Sequence, residues 1–403
     1  MKHVFFSYLM ILSALGCSDS GSIDSRQELL QYWGTQVVLP GYQEFETQAA
    51  ALQTAAEGFC AEPSSARLDG LHAAWIAARQ PWKEMEVFAF GPYLNEPLRL
   101  GPKVDFWPVR VGDIEDVLED TDEINAAVLG ASRKGFAVIE YLIFAETSGS
   151  GLDLLVSKAD APKADAPKAD APKEDRAAAE RACRYLVSLA SDLSLQATRM
   201  HEAWDPDGGN YLAELTEAGS SSTAFPSLQR ALSEVVNRMS FTVENIRLDK
   251  LGGPLGVTTG GSPQPDRAES QFSGRSLDDI RDNLRGVERL YFGEIESTEG
   301  PDLTGDAGVS GNSGSTEAFQ TALSLERYAL DKGHSFSAPI RKALQASLTA
   351  LDSIEMPLTS AVTEQPERVS EAMGHLATLQ TVIQVDLIGA LSLTPVFNDT
   401  DGD

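Results

Sequence analysis

Apolar residues recur along this chain at helical spacing. Phe45, Leu52 and Phe59 lie seven apart, and Leu71, Trp75, Ala78, Trp82 and Met85 advance by four and three, drawing one stripe along a helix. Gly91 and Pro92 mark its end, and Pro81 inside it predicts a kink or a split. The spacing returns at Leu186, Leu189, Leu193, Met200 and Trp204, then at Leu277, Ile280, Leu284, Val287 and Tyr291. It returns once more at Leu376, Leu379, Ile383, Leu387 and Leu391. Alternating apolar and polar runs, the mark of strands, are scarce. The pattern predicts an all-α protein of antiparallel helical bundles.

Three stretches interrupt the periodicity. Residues 158 to 172 repeat Lys-Ala-Asp-Ala-Pro three times. Pro162, Pro167 and Pro172 forbid a continuous helix there and balanced charge forbids a core, so a disordered insertion is expected over 157–175. The Gly, Ser and Asp-rich run over 299–316 reads as a flexible loop. Residues 251–268, opening Leu251-Gly252-Gly253-Pro254, have the composition of a linker. The predicted organisation is an N-terminal bundle over 26–250, this linker, and a C-terminal bundle over 269–403.

The amino terminus sets the expected compartment. The apolar stretch from Val4 to Leu15 is too short for a hydrocarbon core that needs about 20 residues, so residues 1–16 read as a signal peptide. Ala14, Leu15 and Gly16 before Cys17 resemble a bacterial lipobox, which predicts a lipid on Cys17 and a cell-envelope location. Ser18 matches an outer-membrane sorting signal facing the periplasm or the cell surface. Setting Cys17 aside leaves Cys60 and Cys183, an even number in an oxidising compartment, and one disulfide is predicted.

Composition then narrows the partners. Thirty-two Lys and Arg against 60 Asp and Glu give a formal charge of -28, a field that repels nucleic acid and anionic lipid surfaces. Membrane attachment is expected through the lipid alone. Cationic, neutral or metal partners and other envelope proteins stay open.

One segment carries candidate chemistry. Gly135-Phe136-Ala137-Val138-Ile139-Glu140-Tyr141-Leu142-Ile143-Phe144 holds a single charge with apolar residues on every helical face, so Glu140 is expected to be buried. A carboxylate there must be paired, hydrogen-bonded or protonated, which makes it either a site residue or a tie between helices. Hydrolytic templates are missing. His72, His201, His334 and His375 form neither HxxxH nor HExxH, and no Ser or Cys stands in a nucleophile elbow.

Gly135 to Glu140 resembles the GxHxxE signature of the imelysin family. Further blocks match in order: Ala74-Trp75 with Pro81-Trp82 and Phe90-Gly91-Pro92, then Phe106-Trp107-Pro108, then Glu269-Ser270-Gln271-Phe272-Ser273 with Leu277 and Asp279. Leu379 to Asp386, with Phe397 and Asp401-Gly402-Asp403, resembles the family's closing helix and tail. Ala137 stands where the motif carries histidine. The resemblance implies two related bundles with a site cleft between them, and an association with iron or other metal acquisition. It implies peptidase activity only by the family's label, and Ala137 removes the imidazole such chemistry would use.

The polar set expected to line the cleft is Glu140, Trp107, Arg110, Glu269, Ser270, Ser273 and Asp279. Asp386, seven after Leu379 and three after Ile383, is expected to face inward as well. The leading expectation is a non-enzymatic binding protein taking a small ligand, a metal ion or an iron-containing ligand. A metallopeptidase and a surface scaffold whose site has lapsed are the alternatives.

Overall fold

A computed structural model describes residues 23–120, 122–145, 173–293 and 323–396, and no strand occurs among them. The signal peptide, Cys17, Lys158–Pro172, the loop over 299–316, Phe397 and Asp401–Asp403 lie outside the described residues. The principal helices are α1 (Ser25–Trp33), α2 (Leu39–Ala61), α3 (Ser65–Met85), α4 (Phe136–Phe144) and α5 (Lys173–Trp204). They continue with α6 (Leu228–Asn245), α7 (Ser276–Phe292), α8 (Ser337–Asp352) and α9 (Pro366–Thr381). The long helix α5 already begins at Lys173, so the last three residues of the expected insertion are helical.

Every apolar stripe read from the sequence is buried. Phe45, Leu52 and Phe59 on α2 meet Leu71, Trp75 and Trp82 on α3, and Leu186, Leu189 and Leu193 on α5 close the other side of α2. Helix α4 packs on α3 and α5, α7 on α3, and α9 on both α6 and α8. The apolar core is contiguous from Leu29 to Leu393. Cys60 on α2 is bonded to Cys183 on α5, with the two Cα atoms 5.6 Å apart. Closing a loop of 123 residues stabilises the fold by about 4 to 5 kcal/mol in the chain-entropy view.

Two local expectations are corrected, the end of α3 and the facing of Asp386. Helix α3 runs through Pro81 without splitting, and it ends at Met85, before Gly91-Pro92. The chain tightens into a 3-10 turn over Glu86–Phe88, and Gly91 then takes φ +55° to begin a second one. Asp386 is exposed, because Val382–Leu387 winds as a π turn. Bonding from i to i+5 unwinds the helix locally, so the residue three after Ile383 falls off the buried stripe while Leu387 stays on it. The stretch over 251–268 is folded in its first residues: Gly252–Leu255 is a helical turn, and Leu251 to Pro254 are buried.

One close approach fixes how α3 meets α7. A Cβ on Gly286 would stand 2.1 Å from the Glu84 carbonyl oxygen, so the two backbones touch there.

Candidate functional site

Arg79 and Lys83 lie four and eight residues after Trp75, on the apolar side of α3, and both are fully buried. Each carries its charge into the core and meets acids arriving from separate segments. The Lys83 ammonium donates to Glu86 Oε1 at 2.6 Å, Asp105 Oδ2 at 2.6 Å and Glu269 Oε1 at 2.5 Å, which uses all three of its protons. Lys250 reaches the same place from the π turn Ile246–Leu251. Its ammonium donates to Glu86 Oε2 at 2.8 Å and Asn283 Oδ1 at 2.7 Å, and pairs with Glu269 Oε2 at 3.0 Å. Arg79 pairs with Asp279 at 2.7 Å, Glu269 at 3.2 Å and Asp105 at 3.3 Å.

Opposite charges hold Glu269 and Lys83 ionised. Burial works to raise the Glu269 carboxyl, but Lys250, Lys83 and Arg79 together hold it well below the ordinary carboxylate range. Burial likewise opposes the Lys83 ammonium, and Asp105, Glu269 and Glu86 overcome it and hold the proton firmly. Glu86, Asp105, Lys250 and Glu269 of this cluster form one floor of a cavity of about 260 Å3. Tyr93, Leu94, Trp107 and Phe241 give it apolar walls. Trp107 Nε1 is buried with no hydrogen-bond partner among the described residues.

Glu140 sits beside this floor, on the far side of the 269–276 turn. Gly135 introduces its helix at φ +84°, and a Cβ there would stand 2.3 Å from the Val104 carbonyl oxygen, so only glycine fits. Glu140 Oε1 accepts from Phe272 N at 3.1 Å, Ser273 N at 2.8 Å and Ser273 Oγ at 2.7 Å. Burial pushes its carboxyl up to about 7, against the pull of the Ser273 bonds and of Arg79.

The structure therefore brings together Glu140, Glu269, Ser270, Ser273 and Asp279, with Trp107 on the cavity wall. Ser270 Oγ donates to Asp279 Oδ2 at 2.6 Å, and Ser276 Oγ donates to the Glu269 carbonyl. Arg110 is not among them: it is exposed, and its guanidinium lies 5.2 Å over the Phe106 ring. Asp105 is neutralised by Arg79 and Lys83 and makes no use of Arg110. Sequence reasoning missed Arg79, Lys83, Glu86, Asp105, Lys250 and Asn283. For Arg79 and Lys83 a signal existed, since both occupy positions on the apolar stripe.

Glu86, Asp105 and Glu269 each offer a carboxylate oxygen, all within 4.8 Å of one another. An all-oxygen set of this kind suits a hard cation. The Lys83 ammonium already stands among the three, so a metal ion fits only where that ammonium withdraws. The histidines among the described residues lie elsewhere: His72 at the Ile143 carbonyl, His201 at Glu46, His334 beside Phe336 and His375 beside Glu371.

The model of the imelysin family matches residues 38–383. This chain belongs to the imelysin family. An iron-regulated protein A of Synechococcus elongatus is 29% identical over 280 residues, covering 69% of this imelysin-family chain and 67% of its own length. Among solved structures, an iron-regulated protein A precursor from Parabacteroides distasonis superposes with a TM-score of 0.68 at 20% identity, covering 92% of this chain and 96% of its own. An imelysin-like protein from Psychrobacter arcticum gives 0.65 at 16% identity, covering 93% and 98%. Both likenesses establish the all-α fold of this imelysin-family member.

Proposed function

We propose that this imelysin-family chain is a non-catalytic binding protein whose site is the cavity beside Trp107, between bundles spanning 26–250 and 269–403. One observation carries the reading. A cavity walled by the Tyr93, Trp107 and Phe241 rings stands over a floor whose charges are already matched. A small ligand that lays apolar surface on Tyr93, Trp107 and Phe241 fills this cavity without disturbing the ion pairs. The floor adds polar recognition at the ligand's other end.

The iron-regulated relative supports placing this binding in iron-linked physiology. Lipid on Cys17 would tether the protein in the cell envelope, and the Cys60–Cys183 disulfide supports an oxidising compartment. The carboxylate trio supports a second reading, a hard cation bound after Lys83 withdraws.

Native mass spectrometry with elemental analysis, on protein purified from its own envelope, separates the readings. A retained organic molecule lost in Trp107→Ala supports the cavity ligand. Stoichiometric metal lost in Asp105→Asn moves the assignment to the cation. Neither ligand nor metal on the purified protein overturns both.

A further inference from the structure

We infer that Glu140 is a positioning residue for this cavity, fixing the 269–276 turn, and through it Glu269, without touching the ligand. The inference rests on the cavity reading above. Glu140 does not line the cavity, whereas Glu269, three residues before Phe272, does. A single Glu140 oxygen gathers two backbone N–H groups and one hydroxyl of the turn. The next residue on α4 clamps the same place, since the Tyr141 ring meets Phe272 edge-on at 5.2 Å.

The turn needs such clamps. Ser270 holds φ +48° and Gly274 φ +70°, and a non-glycine residue in the left-handed region persists only where its surroundings over-determine it. The Ser270 bond to Asp279 and the Ser276 bond to the Glu269 carbonyl hold the turn to α7. Glu140 supplies the hydrogen bonds that hold it to α4, beside the Tyr141 ring on Phe272. Losing it frees Phe272 and Ser273, and Glu269 then loses its fixed place between Lys83 and Lys250.

The test uses the full chain labelled with 5-fluorotryptophan. Its five tryptophans give separate 19F resonances, and Trp107→Phe assigns the one in the cavity. Glu140→Ala is expected to shift the Trp107 resonance while leaving Trp33 and Trp204 in place, and to speed amide exchange at Phe272 and Ser273 by about tenfold or more. Glu140→Gln keeps an acceptor oxygen and is expected to restore both readouts. If Glu140→Ala does not fold, Ser273→Ala removes one of the three donors and is expected to show the same changes at smaller amplitude.

An unmoved Trp107 resonance with wild-type exchange in Glu140→Ala, or in Ser273→Ala where the former is unfolded, overturns the positioning role. So does a Glu140→Gln protein that behaves like Glu140→Ala. Purified protein that retains no ligand, with the 19F result as expected, sinks the cavity reading and leaves the positioning role standing. Retained ligand with an unmoved resonance does the opposite.

Discussion

Glu269 and Glu140 are both more than nine-tenths buried and flank the same turn, yet their environments drive them in opposite directions. Glu269 faces three cations and stays ionised. Glu140 faces two amides and a hydroxyl, and burial prevails, bringing its carboxyl to about 7. Hydrogen-bond donors with one cation out of contact do not repay the removal of water from this carboxylate, whereas three cations in contact do. The molecule thus keeps one acid as permanent charge and the other as a group poised near neutrality.

The sharpest way to break this comparison is to remove a cation from the Glu269 side. Lys83→Met leaves Glu86, Asp105 and Glu269 with fewer counter-charges in the core, and the expected loss is roughly 3 to 5 kcal/mol in urea unfolding. An unchanged midpoint would mean that the cluster is not held by its ion pairs.

On the Glu140 side the effect is expected in pH dependence. Its folded-state value, about 7 against an ordinary 4.5, means that the folded chain binds the proton more tightly. That stability is present in full below about 4.5 and is lost as pH rises through about 7, on the order of 3 kcal/mol in all. Glu140→Gln should flatten this part of the stability profile, read by thermal unfolding between pH 5 and 8. Ser273→Ala, which removes one donor to the ionised form, should cost about 1 to 2 kcal/mol at pH 8 and less at pH 5. The smallest effects belong to residues that the comparison leaves out. Arg110→Ala and Asp386→Asn, both exposed, should each change stability by no more than about 0.5 to 1 kcal/mol.

The helices were legible because burial writes itself into spacing. Every residue of the stripes at Leu186 to Trp204, Leu277 to Tyr291 and Leu376 to Leu391 is buried. Glu140 was legible for a related reason, as a lone charge with apolar neighbours on all faces. The cluster was not, because Glu86, Asp105, Lys250 and Glu269 come from four separated segments and no local spacing encodes their meeting. Asp386 misled because helical counting assumes 3.6 residues per turn, and the π turn at Val382–Leu387 breaks that count. Arg110 follows Trp107 closely in sequence, but the chain turns between them and the two side chains part company.

The contact at Gly286 works as a fulcrum. With the α7 backbone resting on the Glu84 carbonyl, Asn283 Nδ2 reaches the Lys83 carbonyl at 2.7 Å, and Asp279 one turn earlier meets Arg79. Any side chain at position 286 would pry the two helices apart and tilt both anchors out of reach at once. Adaptation of this pocket to a different guest is thereby confined to its walls at Tyr93, Trp107 and Phe241, because the spacing of its floor is set by a single missing carbon.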